Sequence, residues 1–535
     1  MKKKKTILFL ALAAALLTAC EDISHEPRNH IKDSSEVESI ADEIQETTEK
    51  AVEYTEYVAE VPEINKYDTS FVLEAEDCEL GGSLYQSDER KGFSGDGYVT
   101  GFYGGSADYL SFKADIPATQ HYDITICAAS DTNISNYLTV NSVDLAPFSL
   151  EGEGNFVRIT LHGVFMEEGE AEIKVNNADS NFDVDYIEIS DNETVYEDAF
   201  EIVETPVSKD ASAKSKELLK FMNESFGSKI ITGQYASGPD NKELELIYKT
   251  TGKYPAVRFS DIGEYTREKA PSQKEIKAAE DWSKKGGIVG LMWYWNAPSD
   301  NSSVYADKTD FKLSEAVTDL EIWNKDPEEL NELYQHGEIT QECYSLVNDI
   351  DKVSDALNKL AKENIPVLWR PLHEAGGSWY WWGADGAEAY KWLYDLMYSR
   401  MTEYHKLNNL IWIWNGQSEE YMVDSEKYDI AALDIYLSPD MVYGSRSEQY
   451  QWLKKITGGE KMLAIGECST IPGIDEMCRD NSLWSFFGLW FDEYLADNKG
   501  EISEVYNKKE NIIKMYNAEN SVTLEDCIEA GSAED

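Results

Sequence analysis

The 535-residue chain predicts an antiparallel β-sandwich of jelly-roll type followed by a (β/α)8, or TIM, barrel. Two observations carry this. Between residues 70 and 190, short β-branched and aromatic runs recur between Gly, Asn, Asp and Ser, and no helical period intrudes. From residue 210 to 518, eight apolar runs alternate with amphipathic stretches, the order expected of a parallel barrel wrapped in helices. A doubly wound open sheet is the other arrangement of this kind, but no glycine-rich phosphate fingerprint supports it.

At the N-terminus, "MKKKK" is a positive start and "TILFLALAAALL" a short apolar run, so residues 1–20 read as a signal peptide. The run ends in "LTAC", which resembles the lipobox of bacterial lipoproteins. That resemblance implies lipidation of Cys20 and an outward-facing body anchored to the bacterial cell membrane. An ordinary cleaved signal is the alternative. No later segment is apolar for long enough to span a bilayer. Residues 21–69 are rich in Glu, Ser and Thr and read as an acidic, disordered tether. The sandwich comes next, with runs such as "FVLEAE", "HYDITICAAS" and "DVDYIEIS". Residues 191–209, with Pro206, read as a linker, and 519–535 as an acidic tail.

Composition narrows the function. There are 101 acidic and 48 basic side chains, a net charge of −53. Such a surface repels phosphate backbones, which argues against nucleic acid and for a neutral partner. Aromatics make up 12% of the chain, with 14 Trp and 32 Tyr; flat amphipathic rings suit a protein that stacks on its ligand. Cys78, Cys127, Cys343, Cys468, Cys478 and Cys527 form no CxxC pair and no zinc signature. They read as buried free thiols, or a pair or two.

The barrel strands are expected in "KIITGQYA", "YPAVRFSD", "GGIVGLMWYW", "IPVLWRPLHE", "LIWIWNG", "DIAALDIYL", "MLAIGEC" and "LWSFFGLW". Barrels of this kind gather their functional groups where strands end. Those ends offer Asp261; Trp293, Tyr294, Trp295 and Asn296; Arg370, His373, Glu374 and Trp379; Trp414 and Asn415; Asp434 and Tyr436; Glu467; and Trp484 and Trp490. Carboxylates and indoles dominate, not serine or cysteine nucleophiles. Glu374 and Glu467 lie on strands 4 and 7, across the barrel mouth. Paired carboxylates at close range are what retaining glycosidic cleavage needs: one protonated to donate, one ionised to attack. Alternation along a strand sends neighbours to opposite faces, so about half of Trp293, Trp295, Trp412 and Trp414 are expected in the core.

"WRPLHEAGGSWYWWG", "DIY" at 434–436, "IGE" at 465–467 and "GLMWYWNAP" at 290–298 resemble glycoside hydrolase family 26 over about residues 211–518. The resemblance implies a retaining endo-β-1,4-mannanase acting on plant cell-wall mannan, galactomannan or glucomannan. It implies Glu374 as acid/base, Glu467 as nucleophile, His373 as a sugar contact, Trp379 as a stacking residue and Tyr436 as a hydroxyl beside the nucleophile. Trp293, Tyr294, Asn296, Arg370, Trp414, Asp434 and Trp490 complete the expected substrate-binding set. Many relatives carry histidine where Tyr294 stands. The family also holds lichenases and xylanases. A glycan-binding lipoprotein with an inactive barrel is the rival of a different class. No cofactor is expected for catalysis, and the protein is expected to be a monomer.

In the smaller domain, Glu74 and Glu76 are one residue apart and read as sharing a strand face. Asp185 lies on the closing strand, placed to pair beside the first. Three carboxylates with backbone carbonyls form a hard oxygen cage. With "GFSGDGYVTGF" at 92–102, the region resembles carbohydrate-binding modules of families 35 and 6. The resemblance implies one structural calcium on Glu74, Glu76 and Asp185. A solvated acidic edge is the alternative. Tyr98, Tyr137, Asn181 and Phe182 are the ligand-contact candidates.

Overall fold

The computed structural model describes residues 55–532, apart from 104–106, 146, 177–180, 193–199 and 440–442. The signal segment, Cys20 and most of the expected tether lie outside the described residues.

All eight expected barrel runs supply a strand: β1 Gly233–Tyr235, β2 Val257–Asp261, β3 Ile288–Met292, β4 Val367–Arg370, β5 Leu410–Trp414, β6 Ile430–Ile435, β7 Met462–Cys468 and β8 Phe487–Leu489. They pair in sequence order and in parallel, and β8 closes onto β1. Each strand is buried on both faces, which is why the runs are almost wholly apolar. Alternation sorts the side chains. Leu368, Ile411, Ile413, Ala432 and Ala464 fill one cluster with Phe259 and Met292. Trp369, Trp412, Trp414, Leu433 and Leu463 join a second cluster with the aromatic helix Ala387–Ser399. The first set faces the barrel interior and the second the helices.

The N-terminal region is β-rich. One sheet orders Val157–Met166, Gln120–Ala129, Asp183–Asp191, Tyr98–Thr100 and Tyr85–Ser87, with Ser70–Glu74 also paired to Asp183–Asp191. A second orders Glu79–Gly81, Tyr109–Ile116, Gly169–Asn176, Leu138–Val140 and Val143–Asp144. Pairing within both sheets is antiparallel, and Ile124, Ile126 and Ile187 of the first share a core with Phe112, Ile173 and Val175 of the second. The expected pairing of the first and closing strands holds, with Glu74 opposite Tyr186.

Two terminal segments are more ordered than their composition suggests. Residues 57–69 fall in the expected tether, yet Tyr57 exchanges backbone bonds with Asn517 and Glu519, and Tyr67 is held by Gln120. The expected tail contains a strand, Ser521–Val522, paired in parallel with Ile230–Ile231, and a helix, Leu524–Ser532. Burial of Val522 and Leu524 outweighs the acidic composition there. The β-rich region meets the barrel through a buried polar contact, with His121 Nε2 lying 2.9 Å from Asp480 Oδ1. The six cysteines from Cys78 onward are free thiols, with Cys127, Cys343 and Cys468 buried. No helix among the described residues is long and apolar enough to cross a membrane.

Candidate active site

Inward-pointing Arg370 ends β4, and the chain then turns sharply. Leu372 and Glu374 both adopt left-handed backbone, with φ of 53° and 55°. Non-glycine residues rarely accept this, and where they do the surroundings must hold them. Here the backbone N–H of Glu374 donates to Asn415 O at 2.8 Å and that of Gly376 to Gly416 O at 2.8 Å. The turn brings Glu374 over the barrel mouth.

Glu467 arrives by a different device. Along β7, strict alternation would send Leu463, Ile465 and Glu467 to the helix side. The register against β6 shifts instead: Leu433 pairs with Ile465, but Asp434 pairs with Glu467. One extra residue, Gly466, bulges the strand and re-aims the next side chain. Both Gly466 and Glu467 therefore face inward. A Cβ on Gly466 would lie 2.5 Å from Asp434 Oδ1 and 2.9 Å from Asn415 Oδ1, so the bulge requires glycine.

Below the mouth, the buried Arg370 guanidinium donates to Asn415 and Glu467, and to Asp434 Oδ2 at 2.8 Å. Tyr436 donates its hydroxyl to Glu467 Oε2 at 2.7 Å. Both oxygens of Glu467 are thus held. One carboxylate oxygen each from Glu374, Asp434 and Glu467 lie within 4.8 Å of one another. Three such carboxylates resemble a cation site, but Arg370 already bridges Asp434 and Glu467 and supplies the positive charge.

The two glutamates differ in surroundings. Burial, and then the charge of Glu467, push the Glu374 carboxyl up to about 8, against the opposing pull of Arg370 and the Trp379 N–H. Glu374 therefore holds a proton at neutral pH, while Glu467 accepts from a guanidinium and a phenol. Two carboxylates in unlike environments are what an acid and a nucleophile require.

Aromatic side chains surround the pair. Trp379, 45% exposed, donates its indole N–H to Glu374 Oε2 at 3.2 Å. Its ring lies over Gly377, where a Cβ would come within 1.9 Å of it. Tyr294 meets the His373 ring edge-to-face at 5.0 Å and Trp490 at 6.3 Å. Tyr294 and Trp490 line a cavity of about 410 Å³ with Tyr235, Met292 and Phe491. His373 is fully buried between Tyr294, Tyr380 and Trp382, and its ring nitrogens have no partner among the described residues. Burial and the Arg370 charge hold it well below its ordinary pKa, hence neutral.

Some expected contacts lie elsewhere. Trp293 is buried on Trp295, ring centroids 3.9 Å apart, and its N–H donates to Thr266. Trp414 is buried toward Tyr428, with its N–H on Tyr421 O. Both face the helix layer and are core residues, the outcome that alternation demands. Asn296 donates to Asn301 O and holds its own loop. Asp261 accepts from the backbone of Gly263 and Tyr294, so it fixes the loop carrying Tyr294. Trp484 is buried, its N–H on Ser445 O. Two participants lie outside the expected set. Tyr380, within the strand-4 motif, has its hydroxyl 3.4 Å from that of Tyr294. Tyr235 donates to Gly466 O across the barrel. The aromatic-rich motif signals the first; nothing local signals the second.

In the β-rich region, Glu74 ends its strand but Glu76 lies in a 3-10 turn, Ala75–Asp77; the two do not share a strand face. They still converge with Asp185 on the loop 94–96. Ser94 Oγ donates to Glu74, the Ser94 N–H to Asp185 at 2.9 Å, and the Asp96 N–H to Glu76 at 2.7 Å. Glu76 Oε2 is buried with no partner among the described residues, a free hard oxygen for an ion, but Glu74, Glu76 and Asp185 are not among the described carboxylate groups whose oxygens all lie within 4.8 Å of one another. Of the ligand-contact candidates, Phe182 is buried and stacked on Phe102, Tyr98 is buried and its hydroxyl oxygen accepts from the Arg90 backbone N–H, and Asn181 accepts from the Gly101 N–H. These three hold the fold. Tyr137 is 39% exposed.

A protonated and an anchored carboxylate facing each other at an aromatic-walled barrel mouth define a glycoside hydrolase. Residues 207–516 match Glycosyl hydrolase family 26, and the chain belongs to this family. It is 30% identical over 467 residues to a mannan endo-1,4-beta-mannosidase of Thermothelomyces thermophilus, covering 85% of this chain and 89% of that one. It is 30% identical over 455 residues to mannan endo-1,4-beta-mannosidase A of Piromyces sp, covering 82% and 71%. Among solved structures, the Podospora anserina GH26-CBM35 beta-(1,4)-mannanase matches with a TM-score of 0.57 at 27% identity, over 86% of this chain and 99% of that one.

Proposed function

We propose that this glycoside hydrolase is a retaining endo-β-1,4-mannanase that cleaves internal bonds of mannan, galactomannan or glucomannan. The observation that carries the mechanism is the approach of Glu374 and Glu467 oxygens to within 4.8 Å. Retaining enzymes hold their carboxyl groups about 5–5.5 Å apart, too close for an intervening water. The names of the Thermothelomyces and Piromyces relatives support mannan as substrate.

In this reading Glu374 protonates the glycosidic oxygen while Glu467 attacks the anomeric carbon. The bond to the leaving sugar breaks and a covalent glycosyl-enzyme forms. Glu374, now ionised, takes a proton from water, and that water releases the sugar with its configuration retained. Tyr436 and Arg370 hold both oxygens of Glu467 in place. Trp379 and Trp490 offer flat faces to sugar rings. No cofactor enters these steps.

The β-rich region serves, in this proposal, as a carbohydrate-binding module with one structural calcium on Glu74, Glu76 and Asp185. Cys20 carries a lipid that anchors a monomeric enzyme to the membrane, facing outward.

The test is product analysis on linear mannan, with Glu467→Ala alongside and the anomer followed by NMR. Short β-anomeric manno-oligosaccharides from wild type alone are expected. Release from lichenan or xylan but not mannan would move the substrate. Initial α-anomer would overturn retention, and silence on all three would favour a binding protein.

A further inference from the structure

We propose that a second cavity, on the barrel flank beside the short helix Glu264–Arg267, binds sugar units of the same neutral chain beyond the cleft; this rests on the glycan reading above. The cavity has a volume of about 510 Å³, within the range of about 300–1,000 Å³ for small-molecule sites. It adjoins the 410 Å³ cavity, with one side chain common to both walls. Arg267 lines both this cavity and the 410 Å³ cavity that holds Tyr294 and Trp490. Its guanidinium is fixed there, on Asp261 at 2.7 Å and Tyr294 O at 3.3 Å. Arg267 and Trp490 line the same 410 Å³ cavity.

The lining suits a sugar. Pro271 and the edge of the mostly buried Tyr265 give apolar lining, while Gln273, Asn301 and Lys359 give donors and acceptors. Tyr265 is 8% exposed and its hydroxyl has no hydrogen-bond partner among the described residues, an unusual cost in a packed structure.

Charge decides between a neutral and an anionic occupant. Arg267 is paired with Asp261, and Lys352 with Asp349 at 2.8 Å. Lys359 donates to Gln273 Oε1 at 3.0 Å and lies over the Tyr265 ring. Glu268 and Asp355 add two negative charges to the lining, which offset Lys269 and Lys359. No positive charge is left over, and the whole chain carries −53. A phosphate or uronate gains nothing here, whereas a hydroxyl-rich neutral ring finds hydrogen bonds and an apolar face.

The experiment titrates the inactive Glu467→Ala protein, with and without Lys359→Ala and Gln273→Ala together, with mannotetraose and with a long soluble β-1,4-mannan. Both flank side chains lie at the surface, and equal melting temperatures confirm an intact fold. The ratio of long-chain to short-chain affinity is expected to fall about fivefold, the worth of one or two hydrogen bonds. An unchanged ratio, or equal weakening for both lengths, overturns the cavity assignment alone. A parent protein that binds neither chain overturns the substrate reading and this assignment with it.

Discussion

Arg370 donates to Glu467 from beneath the barrel mouth, with both side chains buried. The same guanidinium holds Asp434, so a single buried cation reconciles two inward carboxylates. Replacing Arg370 with Met leaves those charges facing each other. Loss of one partner from a buried pair costs about 3–5 kcal/mol. A large drop in the denaturant midpoint is expected, and an unchanged midpoint would show that the network is not structural.

The proton on Glu374 sets the pH range. Its carboxyl stays protonated up to about 8, so kcat/KM should hold through neutrality and fall about tenfold per unit above that point. Folding obeys the same sign. The folded state keeps a proton that the unfolded chain releases near 4.5, so this group's contribution to stability is full below that value and is lost as pH rises toward 8. Glu467→Gln removes the neighbouring charge that raises it. Carboxyl NMR of Glu374 in that variant should therefore report a lower pKa than in wild type; an equal value would refute the coupling.

At Gly466 a side chain would collide with the buried polar network. Gly466→Ala would press on Asp434 and Asn415 and displace the residue after the bulge. A misplacement of about 1 Å can cost about 100-fold, so kcat should fall by that order with little change in KM. Wild-type kcat would mean that the strand absorbs the methyl.

Gly377 seats the Trp379 indole. Gly377→Ala should behave as a milder Trp379→Ala, raising KM about 3- to 10-fold, the scale of one lost ring contact. It should also move the alkaline limb upward, since the N–H donated to Glu374 favours its ionised form. A KM and pH profile equal to wild type would show that the ring rides elsewhere.

Calcium would join three carboxylates at the loop 94–96. Chelation should lower the melting temperature of the β-rich region, and added calcium should restore it, because an ion bound only by the folded form stabilises it. No response in either direction would leave Glu74, Glu76 and Asp185 as a hydrogen-bonded cluster.

Much of this is legible in the sequence because its signals are local. Eight apolar runs mark the strands, but Trp293, Trp295, Trp412 and Trp414 are all buried in the core rather than the expected half, because the members of each pair stand two residues apart and share a face. Trp293 and Trp414 are two of these, although both stand among the expected substrate contacts. The strand-4 motif marks Glu374, His373 and Trp379 together. Acidic composition misleads at residues 521–532, where pairing with Ile230–Ile231 decides the structure. Spacing misleads at Glu74 and Glu76, because the strand ends between them.

By itself, the sequence determined which residue types stand at the eight strand ends, since side-chain period is written in each run. It could not determine the face of Glu467. Counted from Leu463, that residue points at the helices; only the extra residue at Gly466, measured against β6, turns it inward. Register belongs to a pair of strands rather than to either one. The Arg370 bridge, the Tyr235 bond to Gly466 and the pairing of Glu467 with Glu374 therefore exist only once the barrel has closed.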